Sequence, residues 1–352
     1  MEDYKKLKLG MAYHGNRMPH HAEADLEDMV RNGMDIVVHM LSHTDWRRHL
    51  NVMKDIVAIS EEKGLESWID NWGLAGSPGD TSFFLAMYPD SHAIFSDGTM
   101  DPVHPCLYSE DFRRFTKEWI DAAEFIGGKT IFWDEPAVPA KMKNEKKIYC
   151  CACPSCRKRF AEKYGRQMPE YDDEDTARFA NDSVVDYMNC VTEYSHSKGM
   201  KNVTCVMLGT YGMSLEKSDK VAALPYMDNI GSDPYWISKK AKNPELDVYE
   251  FVYNGAKETI GLADRFGKDH NVWIQTYSNP RGSEEDIVLA AEAAYDAGAR
   301  TILGWGYYGS ESNDYRAKNP IATWSRTCEA FARIREMERD RILAEKRKLF
   351  LK

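Results

Sequence analysis

Three thiols fall within six residues at Cys151-Ala152-Cys153-Pro154-Ser155-Cys156, and Cys106 supplies a fourth from earlier in the chain. Four is the number of thiolates in a closed tetrahedral zinc site, and with no open position such a metal would be structural. Cys150 is a second candidate for the place of Cys151. Carboxylates form the other chemical signal. Glu135 lies in Trp133-Asp134-Glu135-Pro136, Asp233 in Gly231-Ser232-Asp233-Pro234-Tyr235-Trp236, Asp70 follows Trp68, and Glu311 stands near the end of the chain. Glycosidic cleavage needs one protonated carboxyl at the leaving oxygen and a second carboxylate, about 5 Å away for retention and farther for inversion. Glu135 is the expected general acid, because apolar neighbours such as Trp133 favour its protonated form. Asp233 is the first choice for the second carboxylate, ahead of Asp70 and Glu311.

Rings crowd the same positions: Trp68, Trp72, Trp133, Tyr235, Trp236, Tyr277, Trp305, Tyr307 and Tyr308. Pyranose C–H faces pack on such π-systems, and indole N–H and phenol O–H groups bond ring hydroxyls. Gly304 and Gly306 beside Trp305 would let a ligand approach the backbone. His14 and His43 are read as hydrogen-bonding a substrate hydroxyl or a carboxylate. Together with His39, Asp70, Glu135 and Asp233 they also allow a catalytic divalent-metal site, the alternative chemistry.

These residues close short β-patterned runs. The runs are Leu7–His14, Asp35–Ser42, Glu66–Gly73, Thr130–Pro136, Asn202–Gly209, Asn229–Trp236, Asn271–Ser278 and Thr301–Tyr308, each apolar at its start and polar or aromatic at its close. Helix-patterned stretches follow each, several ending on a glycine such as Gly33, Gly64, Gly127, Gly199, Gly267 or Gly298. Regular strand–helix alternation predicts parallel pairing and a (β/α)8 TIM barrel, with chemistry at the strand ends. One barrel domain over residues 1–340 is expected, with loop insertions at about 74–108 and 137–175 after the third and fourth strands and a helical extension over 341–352. Both long loops leave from the same rim and are expected to meet.

Around the fourth strand the chain resembles glycoside hydrolase family 42 and its relatives among the clan A barrel glycosidases. The likeness rests on Trp133-Asp134-Glu135-Pro136, on Cys106, Cys151, Cys153 and Cys156, and on Phe160-Ala161-Glu162-Lys163-Tyr164-Gly165. It implies that Glu135 is catalytic and that the four cysteines hold a structural zinc. The family pattern has Asn-Glu where this chain has Asp134-Glu135. An Asp-Glu pair there is similar to that of hexosaminidases and chitinases, in which the acidic neighbour orients the substrate's own acetamido nucleophile. The family's nucleophile is a Glu on strand seven, whereas this chain has Gln275 within Trp273-Ile274-Gln275-Thr276-Tyr277. Gln275 is therefore read as a substrate contact.

The 352 residues carry a net charge of −10 and 43% hydrophobic residues. That charge disfavours nucleic acid and anionic lipid as partners. No apolar run reaches the roughly 18 residues of a membrane span, and the charged amino end lacks the pattern of a signal peptide. Cytoplasmic residence and a carbohydrate substrate are the expectations, and a homo-oligomer is compatible with them. The function expected is a glycoside hydrolase of a small oligosaccharide or glycoside. A metal-dependent sugar isomerase or lyase and a non-catalytic sugar-binding barrel are the alternatives.

Overall fold

The computed structural model describes residues 6–71, 82–206, 208 and 215–350. Among them twelve strands follow in chain order: β1 (Lys8–Tyr13), β2 (Ile36–Met40), β3 (Glu66–Asp70), β4 (His92–Ile94), β5 (Met100–Pro105), β6 (Thr130–Asp134), β7 (Ala140–Lys143), β8 (Lys146–Tyr149), β9 (Lys201–Cys205), β10 (Asn229–Ser232), β11 (Asp269–Gln275) and β12 (Thr301–Trp305). Eight of them close into a barrel in the order β1-β12-β11-β10-β9-β6-β3-β2. The expected (β/α)8 fold is thus observed. Each barrel strand ends one to four residues sooner than its apolar run suggests. Among the described residues, those that close the runs lie beyond the ladder.

The chain forms two compact units. One gathers Met1–His39, Asp55–Trp68 and Asn229–Lys352. In it β1 runs parallel to both β2 and β12, and β11 lies parallel to β10 and β12. Gly10 has no room for a side chain there: a Cβ would stand 2.5 Å from the Ile36 carbonyl oxygen. Helices Val248–Arg265, Glu285–Asp296 and the long Pro320–Phe350 belong to this unit, the last running through residue 340 without a break. Expected stops such as Gly33 and Gly267 take positive φ, 78° and 64°. No helix among the described residues is long and apolar enough to cross a membrane.

The other unit holds Met40–Lys54 and Ile69–Asp228. There β6 pairs in parallel with β9 from Thr130↔Lys201 to Asp134↔Cys205. Two of its long helices begin on side-chain caps: Ser109 accepts from Phe112 N–H, and Asp173 exchanges bonds with Thr176 in a capping box. The long connections are not plain loops. Each contains an antiparallel hairpin, β4–β5 and β7–β8. The second turns through Asn144 and Glu145, both at positive φ (49° and 62°), the conformation of a two-residue hairpin turn. No Asn-Gly pair announces that turn, so the sequence pattern passes over it.

One buried polar residue ties this unit together. The fully buried Asn202 side chain accepts from Trp133 Nε1 (2.9 Å) and Ser195 Oγ (2.6 Å), and donates to the carbonyls of Thr192 (3.2 Å) and Tyr226 (2.9 Å). Leucine would fill a similar volume and strand the Trp133 indole N–H and the Tyr226 carbonyl in the core, while Ser195 Oγ keeps its bond to Thr192 O (3.1 Å). Asn202→Leu should therefore lower the urea unfolding free energy by about 3 kcal/mol or more; a change within 1 kcal/mol, by the same rule about one bond's worth, would show these partners satisfied elsewhere.

Candidate active site and thiolate cluster

Glu135 is the first residue beyond β6 and takes φ +39°, a left-handed conformation costly for any residue with a Cβ. Such an outlier persists only where its surroundings over-determine it. Here they do so from two strands. On the β3 side, the buried Asn71 accepts from Asp134 N–H through Oδ1 (3.1 Å) and donates its own N–H to Phe132 O (3.3 Å). On the β9 side, Thr204 Oγ1 donates to Trp133 O (2.8 Å), and Asn202 holds the Trp133 indole. Asp134 and Glu135 are both half-buried.

Beneath this corner lies a cation that the sequence reading did not single out. Lys217, on helix Leu215–Ala222, is 4% exposed and donates from Nζ to the carbonyl of Pro136, 3.1 Å away. Burial pushes its ammonium down from the ordinary 10.5 to about 8, and the charge of Glu135 works against that fall. A lysine among polar helix residues reads as solvated, so only its partner reveals it.

In the unit containing β1, residues His14, Gly15, Asn16, Asp25, Tyr307, Tyr308, Glu311 and Ser312 line a cleft of about 440 Å³. Three expected substrate contacts, His14, Tyr307 and Glu311, come together there, and the His14 ring meets Trp305 edge-on at 5.3 Å. Asp25 and Asp28 anchor the floor. Asp25 accepts from Tyr13 OH (2.7 Å) and Asn16 Nδ2 (3.0 Å), while Asp28 accepts from Tyr307 OH (3.2 Å) and Trp324 Nε1 (2.8 Å). The His14 Nε2 is sealed from solvent, and burial first, then the Arg17 charge, pushes the imidazole down to about 4. It is neutral at pH 7. The sequence reading missed Asp25 because it belongs to a helix, Pro19–Arg31, rather than to a strand end.

Other expected contacts stand differently. Trp236 is fully buried, so its indole has no face to offer a sugar, and this corrects the expectation that it lines the site. Asp70 is likewise fully buried, and Asp233 is 6% exposed. Gln275 accepts from Ile237 N–H at 3.1 Å, a tie between β11 and the segment after β10. Tyr235 and Tyr277 meet edge-to-face at 5.3 Å and remain half-buried. His43 stacks on Phe83 (4.1 Å) and takes a bond from Arg47 Nε (3.3 Å). His39 is buried against Ser60 Oγ at 2.9 Å. The glycines beside Trp305 admit the protein's own atoms rather than a ligand: a Cβ on Gly304 would meet Met11 Sδ at 2.7 Å, and one on Gly306 would meet Ser310 Oγ at 2.9 Å. Trp72 lies outside the described residues.

The two long loops do meet. Donor atoms of Cys106, Cys151, Cys153 and Cys156 lie within 4.8 Å of one another, all buried. Cys106 Sγ is 3.5 Å from Cys156 Sγ and 3.8 Å from Cys153 Sγ, too far for a disulfide. Four sulfurs each about 2.3 Å from a zinc ion would stand about 3.8 Å apart, so the group has the dimensions of such a site. The backbone N–H of Ile94 points at Cys151 Sγ (3.5 Å), as it would at a thiolate. Cys151, not Cys150, completes the group. Hydrogen bonds among the thiols draw Cys151 and Cys153 down and drive Cys106 and Cys156 up.

No protein-family model matches the chain, and no curated protein matches it. Solved structures do. The GH5_18 protein from Streptomyces cattleya, in complex with GlcNAc, is similar with a TM-score of 0.60 at 12% identity over 94% of this chain and 81% of that one. The endo-1,4-β-mannanase from Rhizomucor miehei gives 0.58 at 12% identity over 95% and 97%. A D-allulose 3-epimerase from Methylomonas sp. gives 0.50 at 13% identity over 94% and 98%. At such identities the likeness establishes the barrel fold.

Holding the Lys217 ammonium in the fold costs roughly 3 kcal/mol, from its fall between 10.5 and about 8. The folded chain binds this proton less tightly than the unfolded chain. The cost is therefore full below pH 8 and fades as pH rises towards 10.5. Lys217→Met should raise the unfolding free energy at neutral pH by about 2 kcal/mol, after about 1 kcal/mol is given up with the Pro136 bond. Denaturant titrations should show that gain nearly gone by pH 10.5, where the lysine is neutral in the fold and half-protonated in the unfolded chain; an equal gain at both ends would refute the assignment.

Proposed function

We propose that this chain is a glycoside hydrolase of small oligosaccharides or glycosides, with Glu135 as its general acid. The observation that carries the reading is the placement of Glu135: directly beyond a barrel strand, in a left-handed backbone held by Asn71 and Thr204. Active sites of this fold are built where strands end. The similar folds printed as mannanases and as a GlcNAc complex support a sugar substrate. Asp134 is the electrostatic partner of Glu135, or the group that orients a substrate acetamide. Asp233 is the nucleophile or base. His14, Tyr307 and Glu311, with Trp305 beside them, contribute sugar contacts from their cleft, and His43, Asp70, Tyr235, Gln275 and Tyr277 complete the assignment. The reading includes cytoplasmic residence, where thiols stay reduced. A sugar epimerase is the second reading, favoured by the epimerase likeness.

Cys106, Cys151, Cys153 and Cys156 would hold a structural zinc, whose charge lets four adjacent sulfurs exist together as thiolates. Their part is to pin the two hairpin-bearing loops.

Two measurements follow. Aryl β-mannosides and β-N-acetylglucosaminides are the first substrates to try, and Glu135→Gln should lower kcat/KM by about 100- to 10,000-fold. Full activity in that variant would exclude Glu135 as acid, while chelator-sensitive turnover of a free ketose would favour the epimerase. Metal analysis of protein purified under reducing conditions should find about one zinc per chain, lost in Cys156→Ser together with thermal stability. Wild-type protein that stays metal-free in excess zinc would contradict the site.

A further inference from the structure

We propose that the cleft between the end of β1 and the segment after β12 binds a cationic sugar, a hexosamine unit whose amino group is free and protonated. The inference rests on the glycosidase reading, in which this cleft contributes sugar contacts, and deepens it by naming the substrate class. Its volume of about 440 Å³ lies near the lower end of small-ligand sites, room for a short saccharide. Among its lining residues Asp25 and Glu311 are carboxylates, and none is a lysine or arginine.

Asp25 is arranged as an acceptor by the protein itself. Tyr13 OH (2.7 Å) and Asn16 Nδ2 (3.0 Å) both donate to Oδ2, and the Tyr13 oxygen takes the Asn16 backbone N–H (3.1 Å). Toward Oδ1 the Tyr307 hydroxyl stands at 3.5 Å, the outer limit of a hydrogen bond, since it lies closer to Asp28 (3.2 Å). One oxygen is therefore held and the other can take a further donor. These donors are all neutral, so the carboxylate charge is not cancelled. Elsewhere on the same helix the acids are paired: Glu23 and Glu27 with Lys63 (3.0 and 2.8 Å), and Asp28 with Arg31 (3.4 Å). Arg17 Nη1 is directed to the carbonyls of Gly15 (3.0 Å) and Asn16 (3.4 Å). Among the described residues no cation stands within ion-pair distance of Asp25 or Glu311.

The nature of the cation follows from the walls. Among the described residues, the thiols are the group of three or more His, Cys, Asp and Glu donors close enough to share an ion. His14, Asp25 and Glu311 are too far apart for a bare metal, and two carboxylates repel an anion. An organic cation fits. Tyr307 and Tyr308 line the cleft with ring centroids 5.8 Å apart, and phenol faces attract ammonium groups as well as pyranose C–H faces. Ser312 Oγ donates to His14 O (2.8 Å), fastening the segment that carries Glu311 to the end of β1. N-acetylation of the sugar would remove the charge and with it the preference.

NMR titrations with glucosamine, N-acetylglucosamine and glucose test the inference, at low salt and about pH 6, where the amine is protonated and the carboxylates are ionised. Glucosamine should bind about 10-fold or more tightly than either neutral sugar, and added salt should shrink that margin. Glu311→Gln and Asp25→Asn should each lose most of the preference while leaving glucose binding unchanged. If Asp25→Asn fails to fold, Glu311→Gln carries the test, because Glu311 is exposed. Equal affinity for the three sugars, or no binding of glucosamine, overturns the inference. So does a preference that survives both substitutions, which would come from the net charge of −10 rather than from the cleft. A glucosamine preference in a protein that cleaves no glycoside keeps the cationic site and removes the glycosidase reading. Cleavage of neutral glycosides that depends on Glu135, in a protein indifferent to the amine, does the reverse.

Discussion

The clamping of strand β6 from both sides is the constraint on which the candidate site depends. A carboxylate at φ +39° cannot be held by its own chain, since the left-handed region costs of order 1 kcal/mol and a flexible turn would relax out of it. Asn71 fixes the backbone before Glu135 from one neighbouring strand, and Thr204 and Asn202 fix it from the other. These are hydrogen bonds made by buried side chains to backbone or indole groups, with no water to compete. Their geometry is therefore stiff, and stiffness is what converts a strand end into a defined direction for one carboxyl group.

Burial handles charge differently in the two places where chemistry is concentrated. Around Glu135 the protein keeps a cation, Lys217, at the expense of its own stability. Near β1 it keeps neutrality instead: the imidazoles of His14, which lines the cleft, and of His39, buried beside Ser60, are pushed down to about 4 and about 3, chiefly by burial. Both histidines stay uncharged at neutral pH, where they act as hydrogen-bonding groups. They take up protons only at the cost of the fold as pH falls from about 6.5 through those values. The phenols of Tyr13 and Tyr307 are held protonated by burial and by the Asp25 and Asp28 carboxylates. These phenols and imidazoles are thus fixed hydrogen-bonding groups at neutral pH.

The barrel was legible because its signal is periodic. Eight apolar runs closing on polar residues can satisfy their backbone bonds in one way when helices separate them, and glycines such as Gly33 mark where those helices stop. The gathering of the four cysteines was legible because thiols at that spacing suit a common ligand. Asn71, Thr204, Asn202 and Lys217 were not. Each is a polar residue whose role is defined by a partner distant in sequence, and in a linear reading it is indistinguishable from a solvated one. Trp236 fails in the opposite direction. Its position beside Asp233 suggests an exposed ring, yet the strand ends at Ser232 and the turn that follows buries the indole.

The same logic explains why the thiols occupy the place they do. The hairpins β4–β5 and β7–β8 are two-stranded, and such hairpins are marginal alone in water. They leave Met100, Val103 and Met142 exposed while gathering Phe95, Ile148, Tyr149 and Phe160 into a small core of thirteen buried residues, five of them cysteines. So small a core resists loop entropy weakly. Thiols this close also repel one another once more than one is ionised, which disfavours the state with all four as thiolates. A divalent cation held by the four would remove both weaknesses at once, replacing mutual repulsion by four bonds and crosslinking segments about fifty residues apart, where loop closure has the most entropy to remove. The cysteine cluster and the hairpins thus belong to one small core, in which the fold supplies the convergence and a metal, if bound, would supply the cohesion that the apolar residues lack.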